Sequence, residues 1–188
     1  VPNPGQGKAI QRNHAACIRA ELITGKGRFQ LRPVAARDVG GLRKFLGGIS
    51  ESTIYFRFGR HDLGEVGQRR LRALCTVDFS RRVHYVAVFP GQQEEIIAGN
   101  ARYEVDGSGL AAEFVILVAD SWQGLRLGKS LLRVLEMHAR ASGIQVLYGN
   151  VLPGNARMVT MLQRMGYKPA IQAFDSEATC FVRHLMST

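Results

Sequence analysis

Along this chain the spacing of apolar positions changes several times. Phe29-Gln30-Leu31-Arg32-Pro33-Val34 alternates with a period of two and predicts a first strand, with Pro33 near its end. Val39, Leu42, Leu46 and Ile49 recur at helical spacing and predict a helix in spite of Gly40-Gly41. Residues 50–58, with Ile54 and Phe58 on one face, and 66–75, with Leu71 and Leu74 inward, predict further helical segments. Alternation then returns and predicts strands over 83–89, 95–105 and 110–119, the last two joined by a hairpin turn at Asp106-Gly107-Ser108-Gly109. Gly128 to Ala141 is amphipathic at helical spacing, and Gln145 to Val151 is again a strand. Asn155 stands where an N-cap belongs, before a helix whose buried face is Met158, Val159, Leu162 and Met165, with Gly166 in the left-handed position beyond its end. Residues 170–174 and 178–186 read as two final strands.

The order β-α-α-β-β-β-α-β-α-β-β predicts an α/β fold, a mixed (α+β) sheet with helices on its faces. The unit from Phe114 to Val151 should be a right-handed parallel crossover. Residues 1–27, rich at first in Gly, Asn, Gln and Pro, predict a weakly structured arm, and 28–188 a single domain.

Composition narrows the class. The 188 residues are 46% hydrophobic and 21% charged, as in a water-soluble globular domain. No apolar run approaches a spanning length, and the N-terminus shows no secretory hydrophobic region. The chain begins at Val1, which reads as a processed or trimmed start. Cys17, Cys75 and Cys180 form no CxxC, and His61, His138 and His184 show no ligand spacing, so the expectation is reduced thiols, a cytoplasmic setting and no metal. The net charge of +10 fits nucleic acid, an acidic protein or a polyanionic cofactor. It is spread over 12–32, 57–82 and 126–140, which reads mainly as a solvated basic surface. Aromatics are few (8%) and do not alternate with the basic residues, so nucleic acid is the weakest of these partners.

The candidate chemistry centres on Trp122-Gln123-Gly124-Leu125-Arg126-Leu127-Gly128-Lys129-Ser130, a glycine-containing turn between an apolar strand and a helix. The first amides of a helix lack partners and sit at the positive dipole end, so such a turn can hold a phosphate. Lys129 and Arg126 add charge, and Ser130 a hydroxyl. A plain helix entry is the bland alternative. Upstream, Glu113 interrupts a strand that otherwise reads as buried; it shares a face with Val115 and Leu117, while Phe114, Ile116 and Val118 share the other. Among apolar neighbours a carboxylate is suited to proton abstraction; at an exposed strand start it is merely solvated.

These residues, in this order, resemble the GNAT superfamily of acetyl-CoA-dependent N-acetyltransferases. The likeness rests on Gln123-Gly124-Leu125-Arg126-Leu127-Gly128 against the family's Q/R-x-x-G-x-G/A, on the apolar strand ending at Val118, on Asn155 opening a helix that ends Met165-Gly166-Tyr167, and on Arg32-Pro33. Ala112-Glu113-Phe114-Val115, Trp122-Gln123-Gly124 and Ser50 to Phe58 are similar to the GNAT domain of bacterial Pat-type protein lysine acetyltransferases. Two positions depart from the family pattern: Arg126 stands at the middle glycine, and Leu162 stands where many members place a tyrosine acid.

The resemblance implies a splayed central pair of parallel strands that admits acetyl-CoA, with an amine as acceptor and a protein lysine favoured. It implies that Glu113 is the base, that backbone groups of Ile116, Leu117 and Val118 line the pantetheine arm, and that residues 123–130 hold the pyrophosphate. Asn155 is either a contact to the cofactor or an N-cap only. The alternatives are a small-amine acetyltransferase and a non-catalytic acyl-CoA-binding module. Monomer and homodimer are left open.

Overall fold

The structure is a computed structural model that describes residues 18–185 apart from 60, 63, 65, 66 and 171–176, and leaves the side chain of Phe58 aside. The strands are β1 (Ala20–Thr24), β2 (Gly27–Pro33), β3 (Arg82–Pro90), β4 (Glu95–Val105), β5 (Ala111–Val118), β6 (Val146–Val151), β7 (Lys168–Ala170) and β8 (Thr179–His184). The helices are α1 (Val39–Gly47), α2 (Glu51–Phe58), α3 (Gln68–Cys75), α4 (Leu127–Ala141) and α5 (Ala156–Arg164). Short 3₁₀ turns at Ala36–Asp38 and Asp120–Trp122 precede α1 and α4.

The strands form one sheet in the order β1-β2-β3-β4-β5-β6-β8-β7. Every neighbouring pair is antiparallel except β5–β6, the strands that α4 connects. A mixed sheet with helices on its faces is the architecture expected from the sequence. Three details differ. The presumed arm contains β1, an edge strand paired to β2 from Ala20↔Leu31 to Thr24↔Gly27. The three helical segments read between β2 and β3 all form, one more helix than the condensed element order counts. Of the two final strands, the first is short and begins earlier, and residues 171–174 lie outside the described residues.

Two apolar cores flank the sheet. On one face Leu127, Leu131, Leu132 and Leu135 of α4 pack with Tyr85, Tyr103 and Phe114. On the other, Leu42 and Phe45 of α1 and Leu71 and Cys75 of α3 pack on Val86, Val88, Ile97 and Leu117. Arg32 anchors the start of the second layer. Its guanidinium grips both oxygens of buried Asp38 at 2.8 Å each, and Asp38 also accepts the Ala35 N–H at 2.7 Å. The Arg32-Pro33 pair is thus a structural fastening for α1.

The central feature is a split between β5 and β6. They pair only at Ala111↔Val146, Ala112↔Leu147 and Glu113↔Tyr148. Beyond Glu113 the strands part, while β5 stays zipped to β4 as far as Gly99↔Val118. The Phe114 ring works as the wedge. A Cβ placed on Gly149 of β6 would come within 2.6 Å of the ring, and the ring's other side meets Tyr167 edge-on at 5.4 Å. Gly149→Ala is therefore expected to overpack this site and destabilise the fold by about 1–3 kcal/mol, read as a lower urea midpoint. Unaltered stability would mean that Phe114 swings aside freely.

Candidate active site

The mouth of the split opens into a cleft of about 1220 Å³, larger than most small-molecule pockets. β5, α2, α5 and the first turn of α4 form its walls. The α4 end is built for an anion. Gly124 has φ +82° and Arg126 φ +66°, so left-handed backbone turns the chain twice before the helix begins. A left-handed arginine is strained by roughly 1 kcal/mol relative to glycine. No side chain caps α4, and Ser130 is the residue that donates back to the Arg126 carbonyl, at 3.0 Å. The amides of Leu127, Gly128 and Lys129 precede it and reach no carbonyl of the preceding turn, and all three residues line the cleft.

Gln123 has a different task. Its N–H is spent on the Asp120 carbonyl at 3.2 Å. Its side-chain amide donates to the Val118 carbonyl at 3.2 Å and to Thr53 Oγ1 at 3.3 Å, and accepts from Arg157 of α5. It is a strut joining β5, α2 and α5. Asp120 completes this brace by accepting from the Ser50 N–H at 2.9 Å and from the Ser50 and Thr53 hydroxyls at 2.7 and 2.8 Å. Burial works to raise its pKa, but these donors prevail and hold it below the usual carboxylate range.

Glu113 stands at the apex of the split, in the last residue pair before the strands part. It is exposed, not enclosed by apolar side chains as a doubly buried strand would make it. Asn150 of β6 donates to its Oε1 at 3.2 Å. Glu113, Val115 and Leu117 border the cleft and also a second cavity of about 400 Å³ beneath α1 and α3. Arg57 of α2 borders both as well. The two cavities therefore meet at the carboxylate.

The sequence profile of the acetyltransferase (GNAT) family matches residues 54–167. The chain belongs to the GNAT family. An acetyltransferase of Pseudomonas aeruginosa is 28% identical over 140 residues, 73% of each chain. The GNAT domain of S. lividans PAT superposes with a TM-score of 0.80 at 24% identity, covering 88% of this chain and 96% of that domain. The yncA protein of Salmonella typhimurium, solved with its cofactor acetyl-CoA, superposes with a TM-score of 0.66 at 18% identity, covering 85% of this chain and 95% of that one.

In this GNAT N-acetyltransferase most residues singled out in the sequence gather on one cleft: Glu113, Ile116, Leu117, Val118, Gln123, Gly124, Arg126, Leu127, Gly128, Lys129 and Asn155. Two do not line it. Leu125 packs on the main core, and Ser130, in the first turn of α4, spends its N–H on the Arg126 carbonyl. Asn155 does cap α5, its Oδ1 accepting the Met158 N–H at 3.2 Å. Leu162 is fully buried. Thr53, Phe56 and Arg57 of α2 and Asn150 of β6 were not singled out as site residues, although α2 is the quoted stretch Ser50 to Phe58. Among the described residues no cluster of His, Cys, Asp or Glu could hold a metal ion, and no helix is long and apolar enough to cross a membrane.

His84, which reads in sequence as a packed or solvated strand residue, is 2% exposed and borders the second cavity. Its Nδ1 lies 2.7 Å from the Leu74 carbonyl. A carbonyl only accepts, so Nδ1 carries the proton and Nε2 is a bare lone pair. Burial pushes its pKa down to about 4, opposed by the Leu74 carbonyl and assisted by Arg102. The unfolded chain takes up that proton near pH 6.5. The stabilisation is thus complete above pH 6.5 and is lost as pH falls from there toward 4, about 3 kcal/mol in all. His138, lowered by burial, adds in the same direction. Urea midpoints measured across this window should fall with pH, and His84→Gln should flatten the fall. A slope that His84→Gln leaves intact would rule out a neutral buried His84.

Proposed function

We propose that this GNAT enzyme binds acetyl-CoA in the β5–β6 cleft and passes the acetyl group directly to an amine, with a protein lysine as the favoured acceptor class. The observation that carries the reading is the meeting of two cavities at Glu113, Val115 and Leu117, one large with an uncapped helix end, the other small with mixed polarity. A donor thioester and an acceptor amine need such a junction, since reaction requires near-contact of nitrogen and carbonyl carbon.

The cleft fits the donor on chemical grounds. The uncapped amides of Leu127 to Lys129, with the Arg126 and Lys129 charges, suit a pyrophosphate. The β6-facing backbone of Ile116 to Val118 suits the amides of a pantetheine arm. A backbone N–H of that run polarises the thioester carbonyl as charge develops on its oxygen. Glu113, directly or through one water, takes a proton from the acceptor ammonium, and the neutral amine so formed attacks the thioester carbonyl. The nitrogen–carbon bond forms, the carbon–sulfur bond breaks, the nitrogen gives up its second proton to solvent, and the thiolate takes a proton from solvent. The described residues lining the cleft include no tyrosine to supply it.

Titration with acetyl-CoA, monitored by calorimetry, tests the reading; a crystal of the complex should have its phosphates at the N-terminus of α4. Failure to bind any acyl-CoA would sink it.

A further inference from the structure

The second cavity has a chemical character of its own. Its floor is three rows across β3, β4 and β5, set by strand register. The outer row is Arg82, Glu104 and Glu113; the middle row is His84, Arg102 and Val115; the inner row is Asn100 and Leu117, with Val86 buried beside them in the core. Residues directly opposite in antiparallel strands share a face, so each row points into one space. Above it lie Leu42 and Leu46 of α1, Arg57 of α2, and Arg70 and Leu74 of α3.

The charges there do not balance. Arg57, Arg70, Arg82 and Arg102 line the cavity against Glu104 and Glu113. Arg82 and Glu104 satisfy one another at 3.2 Å, at the exposed rim. Glu113 serves the junction. Among the described residues no salt bridge ties Arg102 to a carboxylate. Arg102 and Arg57 are half-buried; burial lowers the pKa of Arg102, opposed by Glu104 and assisted by Arg70, and Arg102 in turn disfavours the charge on Arg57. Burial first, and then Arg102, pushes the Arg57 pKa down to about 10. With four arginines against two carboxylates around one space, a further anion placed beside Arg102 is electrostatically favoured.

His84 supplies a second observation. Its Nε2 is a buried lone pair in the wall of the same cavity. Asn100 lies alongside and eases the charged form, but no described group reaches Nε2 in hydrogen-bonding geometry. An unmet buried acceptor is destabilising unless a ligand or water donor meets it.

Resting on the acetyl-transfer reading, we propose that the acceptor is an amine carried beside a carboxylate. The carboxylate sits against Arg102 and Arg57, the amine lies toward Glu113, and a donor group of the acceptor meets His84 Nε2. Adjacent strands are about 5 Å apart, so an amine over β5 and a carboxylate over β4 can belong to one small unit. Two sources offer that unit: a lysine flanked by Asp or Glu in a peptide, and a free amino acid with its own carboxylate. Polyamines and lysines in basic segments are disfavoured by the same arginines.

The test is the steady-state release of thiol from acetyl-CoA by the full chain with matched acceptors. One arm compares capped peptides Asp-Lys-Asp, Asn-Lys-Asn and Arg-Lys-Arg; the other compares free amino acids with their amides. In at least one arm kcat/KM should rise at least about 10-fold when the carboxylate is present; the arm that responds identifies the source. Arg102→Gln should collapse that ratio toward unity through KM, with acetyl-CoA affinity kept, because Arg102 borders only the smaller cavity. Arg102→Glu should favour the basic peptide. Equal or better turnover of neutral and cationic acceptors by the unaltered enzyme overturns the proposal and leaves acetyl transfer standing. Absence of acetyl-CoA binding overturns both.

Discussion

Glu113→Gln is expected to lower kcat by roughly 100- to 10,000-fold, the usual contribution of a positioned general base, with the affinity for acetyl-CoA unchanged. The replacement is nearly isosteric, and its amide oxygen can still accept from Asn150, which now donates to Glu113 Oε1 at 3.2 Å. The apex of the split is held by the pairing of Glu113 with Tyr148, a backbone matter that the side chain does not enter. What disappears is the charge and the proton acceptor. The limb of the pH–rate profile that reports deprotonation of the base should disappear with it. A variant that keeps that limb would remove Glu113 from the proton path, whatever its kcat.

The second large effect is expected at Gly128. A Cβ there meets Met161 Sδ at 3.4 Å and Val118 and Ile116 methyls at 3.8 and 3.9 Å, all ordinary contacts with residues that line the cleft. A Cβ at this position is therefore tolerated, and Gly128→Asp sets a carboxylate at the start of α4. For the free protein that is favourable. An acidic group in the first helical turn contributes about 0.3–1 kcal/mol, and loss of a helical glycine roughly 0.5–1 more. For a pyrophosphate it is adverse, because two negative groups about 4 Å apart in such a setting repel by about 4 kcal/mol. The thermal midpoint should rise while Kd for acetyl-CoA rises at least about 100-fold. Gly128→Ala separates size from charge. If the Asp variant binds acetyl-CoA normally, the phosphates lie elsewhere.

Much of the architecture was legible because its signals are local. The alternation in 83–89 and 95–105 and the helical spacing before Ala141 survive as β3, β4 and α4 almost residue for residue. Asn155 reads as a cap from its side chain and position alone. β1 escaped because an edge strand needs no continuous apolar face: Glu21 and Ile23 both point outward, Ile23 at 73% exposure. Glu113 and the turn after Trp122 could be singled out for the same reason as the helices, since each is a short run with its own chemistry. The smaller cavity could not. Arg57, Arg70, Arg82 and Arg102 look in sequence like scattered basic surface. Only the register His84↔Arg102 and Arg102↔Val115, with α2 and α3 folded over it, gathers them around one space. Sequence left burial and exposure of Glu113 both open, because the answer depends on where β6 leaves β5.

That departure has a further consequence. Soluble proteins blunt the margins of their sheets, since an unpaired strand edge invites another strand to add to it. Here a raw edge lies in the middle of the sheet, along the stretch of β5 beyond Glu113 that β6 abandons. It cannot be blunted with charge or proline without spoiling the groove. It is protected by depth instead, between α2 on one side and α5 on the other. On the proposed reading, an extended ligand laid along it would act as a surrogate strand, and the fold would then be a continuous sheet whose missing member is not protein.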